Sequence, residues 1–145
     1  MGREYLLDVN ALIALADSEH EHYLAMVNWF DREGHTNWGF CPLTEAGFIR
    51  VTINPVMKAR TLEQAITILQ LLKGHPGCRN WAIDTSWVDL TAPFAARIRG
   101  HQQVMDALLL GLVIKQDGVL VTFDRGLRGL AGAEFSRNLL VLESH

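Results

Sequence analysis

The stretch Leu6-Leu7-Asp8-Val9-Asn10-Ala11-Leu12-Ile13-Ala14-Leu15-Ala16 decides the fold. Tyr5 to Leu7 reads as a short apolar strand, and an almost wholly apolar helix begins directly after Asp8. A helix that is apolar on every face is buried, so Asp8 stands where a core strand meets a core helix. An ionised carboxylate in that position is costly without a partner or a metal. Asp8 either caps the helix, a frequent task for aspartate, or belongs to a site.

Outward from this junction, short β-rich runs alternate with longer helical ones, the pattern of parallel β-α-β units. Strands are expected at Asn37 to Cys41, Asn80 to Asp84, Val119 to Thr122 and Leu139 to Leu142. Helices are expected from Ser18 to Glu33, Leu43 to Ile53, Leu62 to Lys73, Ser86 to Arg99 with a break near Pro93, and Gln102 to Gln116. Thr61 and Gln64 have capping-box spacing at the start of the third of these. Gaps are short, and neither repeats nor linkers interrupt the chain, so 145 residues are read as one α/β domain spanning 1–145.

The composition, 49% hydrophobic and 20% charged, is that of a globular protein rather than a disordered one. The longest apolar run, near Leu108 to Ile114, is too short to span a membrane. No secretory signal is expected ahead of the first strand. Two cysteines, Cys41 and Cys78, are too few for a disulfide framework, which suggests a reducing, cytoplasmic setting. The net charge of −3 alone disfavours a nucleic-acid partner. That objection weakens if several acids are gathered into one site, because the remaining surface is then close to neutral.

Asp124 follows Val-Leu-Val-Thr-Phe and so lies, like Asp8, just past the carboxyl end of a strand. Ligands of open parallel sheets bind at that edge. Asp106 heads a stripe with Leu109, Leu110 and Val113 in an otherwise apolar helix, where a surface acid has no polar face to occupy. Glu45 stands early in a helix that follows a strand. Carboxylates gathered in low dielectric repel one another and take up protons unless compensated. Hard divalent cations provide that compensation, with carboxylates and water as ligands, and two such ions about 3.5–4 Å apart serve in-line phosphodiester hydrolysis.

Leu7-Asp8-Val9-Asn10-Ala11-Leu12-Ile13, Thr44-Glu45, Asp106-Ala107-Leu108 and Thr122-Phe123-Asp124 together resemble the four blocks of the PIN-domain ribonucleases, and most nearly the VapC toxins of bacterial toxin–antitoxin pairs. The resemblance covers essentially the whole chain in order and spacing. It implies a three-layer α/β/α sandwich around a mostly parallel sheet of about five strands. It further implies that Asp8, Glu45, Asp106 and Asp124 hold Mg²⁺ or Mn²⁺, with Asn10 and Thr122 bracing the site. The activity implied is endonucleolytic cleavage of structured RNA, transfer or ribosomal, by a homodimer whose cognate antitoxin covers the site.

Other residues carry less. Arg50, Lys58, Arg60, Arg125 and Arg128 flank the acidic blocks, and Arg50 and Arg125 are the candidate phosphate contacts. His20, His22 and His101 lack helical metal-site spacing and read as surface residues, and the four tryptophans read as core or partner contacts. Gly126 to Gly132 lacks the ending of a phosphate-binding P-loop. An aspartyl-nucleophile phosphatase wants an acid two residues after the strand-end aspartate, where this chain has Asn10. The remaining rival is a fold retained as an inert binding module.

Overall fold

Leu6 and Leu7 are neighbours in sequence and both fully buried, yet they belong to different cores. Successive strand side chains point to opposite faces, and the pair Leu120 and Val121 divides in the same way. The computed structural model, which describes residues 2–144, therefore has helices on both faces of one sheet. Its strands are β1 (Tyr5–Leu7), β2 (Trp38–Phe40), β3 (Cys78–Asn80), β4 (Val119–Thr122) and β5 (Leu139–Val141). They pair in parallel throughout, in the order β3-β2-β1-β4-β5.

One face is covered by α1 (Val9–Ala16), α2 (Tyr23–Arg32), α3 (Pro42–Thr52) and α4 (Leu62–Lys73), which supply Leu12, Met26, Trp29, Phe48 and Leu69 to a core with Trp38, Phe40 and Val121. The other is covered by α5 (Trp87–Thr91), α6 (Val104–Lys115) and α7 (Leu127–Ala131), with Leu110, Leu112, Leu127 and Leu130 packed on Leu6 and Leu120. This is the three-layer α/β/α sandwich expected. Among the described residues no helix is long and apolar enough to cross a membrane.

Several boundaries differ from the sequence reading, each for a local reason. The third strand is Cys78–Asn80, not Asn80 to Asp84. Its ladder ends as Trp81 N–H donates to Phe40 O at 3.2 Å and the Trp81 ring turns into the core. The helix expected from Ser18 begins only at Tyr23. Before it, Asp17 Oδ1 accepts the Glu19 N–H and His20 Nδ1 the His22 N–H, and these turns compete with helix. The stretch after Ser86 is the five-residue α5 followed by a 3-10 segment, Ala92–Arg97, where Pro93 has no N–H to donate. A single 3-10 turn, His101–Gln103, precedes α6. Within the glycine-rich stretch, read as loop, lies α7, ended by Gly132 at φ +63°. The capping box holds as expected: Thr61 Oγ1 accepts the Gln64 N–H, and the Gln64 side chain accepts the Thr61 N–H.

Candidate functional site

The chain builds β1, β2 and β3 outward in one direction, then crosses back to lay β4 and β5 on the other side of β1. The order therefore reverses between β1 and β4, and a crevice opens beyond the carboxyl ends of strands at such a point. Leu7 pairs with Val121, and the Asp8 N–H donates to Val121 O at 3.1 Å. Asp8 and Asp124 thus stand at the mouth of this crevice on its two sides. The first turn of α6 brings Asp106 to it from the chain's other half.

Asp8 is both a cap and a member of a cluster. Its Oδ1 accepts the Ala11 N–H at 2.8 Å, closing the first turn of α1, and the residue is 5% exposed. Burial, helped by the charges of Asp106 and Asp124, pushes its carboxyl up to about 6, against hydrogen bonds from Thr122 and Ala11 that favour the ionised form. Burial and then Asp124 likewise push the Asp106 carboxyl up to about 6. Asp124 is exposed, and its Oδ1 accepts the Gly126 N–H at 2.8 Å.

Thr122, wholly buried, ties two of these acids together. Its hydroxyl accepts the Asp124 N–H at 3.0 Å and favours the ionised form of the Asp8 carboxyl. Thr122→Val keeps the shape and removes both interactions. The expected result is a loss of about 1–3 kcal/mol in denaturant unfolding, with the Asp8 carboxyl driven higher still in an NMR titration. An unchanged Asp8 titration would show that the hydroxyl does not reach it.

Glu45 corrects the expectation of four acids at one site. Its carboxylate pairs with Lys73 Nζ of α4 at 2.6 Å. The cavity beside the aspartates is lined from α3 by Leu43, Thr44, Ala46, Gly47, Arg50 and Val51, without Glu45. Two residues before Gly47 is about 160° round a helix of 3.6 residues per turn, so position 45 faces away. The charged residue of α3 on the cavity lining is Arg50.

The supporting residues divide similarly. Asn10 is exposed and lines the cavity. Arg50 is exposed and makes no side-chain hydrogen bond or ion pair among the described residues. Arg125 points instead toward Glu143, at 3.5 Å, and Lys58 pairs with Asp17. His22 stacks on Phe123 with ring centroids 4.3 Å apart, and Trp29, Trp38 and Trp81 are core. Sequence reasoning missed the apolar wall of Leu43, Val51, Met105 and Leu109. Its signal was the 3.6-residue period of the segment after Pro42.

The donor chemistry suits a hard cation. Three carboxylates, two of them raised by burial and by neighbouring negative charge, are the groups such an ion relieves. Among the described residues no group of three or more acidic, His or Cys side chains stands close enough together to hold a metal ion by itself, and a cation here would need waters to complete its coordination, as Mg²⁺ accepts.

A PIN-domain family model matches residues 5–133. Ribonuclease VapC38 of Mycobacterium tuberculosis is 44% identical over 128 residues, covering 87% of this chain and 89% of that protein. Ribonuclease VapC39 of the same organism is 35% identical over 133 residues, covering 88% and 94%. Among solved structures, VapC20 of Mycobacterium tuberculosis, described as a sarcin-ricin loop cleaving toxin, superposes with a TM-score of 0.65 at 8% identity, over 90% of this chain and 95% of that one. VapBC2 from Rickettsia felis, bound to a DNA fragment from their promoter, gives 0.64 at 12% identity, over 96% and 98%. At those identities the structural likeness speaks to fold alone. Matched across a span that holds all three clustered aspartates, the chain belongs to the PIN-domain family and, within it, to the VapC type.

Proposed function

We propose that this protein is a metal-dependent endoribonuclease that hydrolyses RNA phosphodiester bonds, and the toxin of a toxin–antitoxin pair. The observation that carries the reading is the gathering of Asp8, Asp106 and Asp124 at the crevice between β1 and β4. Folding alone gives no reason to hold three aspartates together where two of them are raised. The curated relatives named as ribonucleases support the same conclusion.

The cation is Mg²⁺, or Mn²⁺ in its place, held by Asp8, Asp106 and Asp124, and when bound it supplies the Lewis acidity that phosphodiester hydrolysis needs at neutral pH. The chain's part is positioning. The Ala11 N–H and the Thr122 hydroxyl fix the orientation of Asp8, and the Gly126 N–H fixes that of Asp124. Arg50 offers a guanidinium to a backbone phosphate on the side of the cavity formed by α3. The substrate is a structured RNA, transfer or ribosomal. The partners are a cognate antitoxin and a second copy of the chain. The site of action is the cytoplasm.

The test is incubation of total cellular RNA with the purified, antitoxin-free protein in Mg²⁺, Mn²⁺ or EDTA. Discrete fragments that require the metal establish the nuclease, and sequencing their ends names the target. A well-folded protein that cuts no RNA under any of these conditions sinks the reading in favour of a binding module. Glu45→Gln separates the three-acid site from the four-acid one. It is expected to leave cleavage and metal affinity unchanged and to lose only the half-exposed pair with Lys73, worth about 0–1 kcal/mol. Loss of metal binding in that variant would return Glu45 to the site.

A further inference from the structure

Between α1, α3 and the start of α6 lies a cavity of about 340 Å³. Asp8 and Asp106 line it, together with Leu43, Val51, Met105 and Leu109 as apolar walls. Arg50 stands on the lining as its one cation. Though two acids share the cavity, no carboxylate pairs with that guanidinium among the described residues, so its donors are available to an anion from outside. Asn10, also on the lining and exposed, makes no side-chain hydrogen bond among the described residues.

We propose that this cavity is a one-nucleotide subsite: a single unpaired base of the substrate enters between the apolar walls, and its adjoining phosphate lies on Arg50. The inference rests on the nuclease reading above and adds to it how the substrate is gripped beside the reacting bond. Three observations favour this occupant. Enzymes that act beside a splayed base enclose it between apolar side chains and read its edge with hydrogen bonds, and the walls and Asn10 provide those two elements. The volume is at the small end of the roughly 300–1,000 Å³ of small-molecule sites, whereas a docking helix with its side chains is about 10–12 Å across and would lie over such a cavity rather than inside it. The lining also carries both signs of charge, Asp8 and Asp106 against Arg50, with no ion pair between them among the described residues. Without metal a phosphate is repelled by the carboxylates and drawn to Arg50, which leaves the apolar walls to the base.

The test uses the full chain labelled at its methionine methyl groups, in EDTA so that no metal recruits phosphate. Met105 reports on the cavity by NMR, while Met26 in the core and Met57 on the surface serve as controls. The probes are AMP, CMP, GMP and UMP, their nucleosides, and ribose 5-phosphate. At least one monophosphate is expected to shift Met105 saturably and leave Met26 and Met57 in place. Ribose 5-phosphate, lacking the base, should bind at least about 10-fold more weakly. Arg50→Gln should weaken the monophosphate about 10-fold and leave the nucleoside unaffected, since only the phosphate touches it. Ala46→Trp, at an exposed position on the lining, should remove the Met105 response without changing the melting temperature.

Binding of ribose 5-phosphate equal to that of the nucleotides overturns the base subsite, as does the absence of any Met105 shift with all four. A Met105 shift produced only by a basic, apolar peptide overturns it too and makes the cavity a protein-docking groove. The titration needs no cleavage, so the two readings fail separately. A protein that cuts RNA but binds no nucleotide here keeps the nuclease and loses the subsite. One that binds nucleotide but cuts nothing keeps the cavity and loses the nuclease.

Discussion

Asp8→Asn is expected to abolish RNA cleavage, by at least about 100-fold, and at the same time to stabilise the metal-free protein. The loss follows because a direct ligand matters at least as much as an outer-shell partner, whose removal costs 10–100-fold. The gain follows from the proton balance. The folded protein holds the Asp8 proton up to about pH 6, whereas the unfolded chain releases it near the ordinary value of 3.8. As pH rises from about 4 to 6, the unfolded state therefore gives up its proton first, and the folded state loses stability over that window. Below it the cost is absent. Above it the cost is complete, up to about 3 kcal/mol for a shift of this size.

Asparagine carries no charge and still caps a helix, so the Ala11 N–H keeps its acceptor. At pH 7.5 and in EDTA the variant should melt roughly 5–10 °C above wild type, and the difference should vanish near pH 4. Saturating Mg²⁺ should raise the melting temperature of wild type far more than that of the variant. A variant that melts below wild type in EDTA would mean that Asp8 is a structural cap and nothing else.

Gly39→Ala is expected to be among the most damaging of the small substitutions to the fold. A Cβ at position 39 would lie 1.8 Å from the Arg79 carbonyl oxygen, its neighbour across the β2–β3 pairing. The obstacle is backbone, which no rotamer change removes. Either β3 leaves the sheet edge or β2 shifts against β1, whose end carries Asp8. Overpacking costs about 1–3 kcal/mol, and more where the backbone must move, so a fall of roughly 6–12 °C in melting temperature is expected. Gly129→Ala provides the contrast. Position 129 lies in α7 with nothing within 4 Å of a Cβ, and alanine there should be neutral or stabilising by up to about 1 kcal/mol. Equal melting temperatures for the two variants would show that the β2–β3 contact yields more easily than its geometry implies.

The legible parts of this protein were those where one residue contradicts its surroundings. Asp8, Asp106 and Asp124 each interrupt or end an apolar stretch, and each reaches the crevice. Glu45 gave no such signal, because an acid in a helix's first turn is favoured by the dipole alone. Its direction depended on helical phase, which sets positions 43, 47 and 50 against 45. The β-α alternation revealed the layers, but the order of five short strands is set by tertiary pairing. The third strand is Cys78-Arg79-Asn80, with little apolar character, while the more apolar Trp81 to Ile83 just beyond it drew the assignment. The helix α7 was hidden by its glycines. It exists because Leu127 and Leu130 are buried, not because its residues favour helix.

The reversal of strand order has a kinetic consequence. Pairing of Tyr5, Leu6 and Leu7 with Val119, Leu120 and Val121 is the most distant in sequence of the four strand pairings, the class of contact that forms slowly. On one side of that seam lies β3-β2-β1 with Asp8, and on the other lies β4-β5, with Asp124 just past β4 and Asp106 on the helix before it. Neither half holds all three acids. A chain that has folded each half but not yet joined them is inert toward any reaction that needs the set. The act that completes the sheet also arms the molecule, and a chain divided in the loop between β3 and α5 should recover its activity only as fast as the two half-sheets find each other.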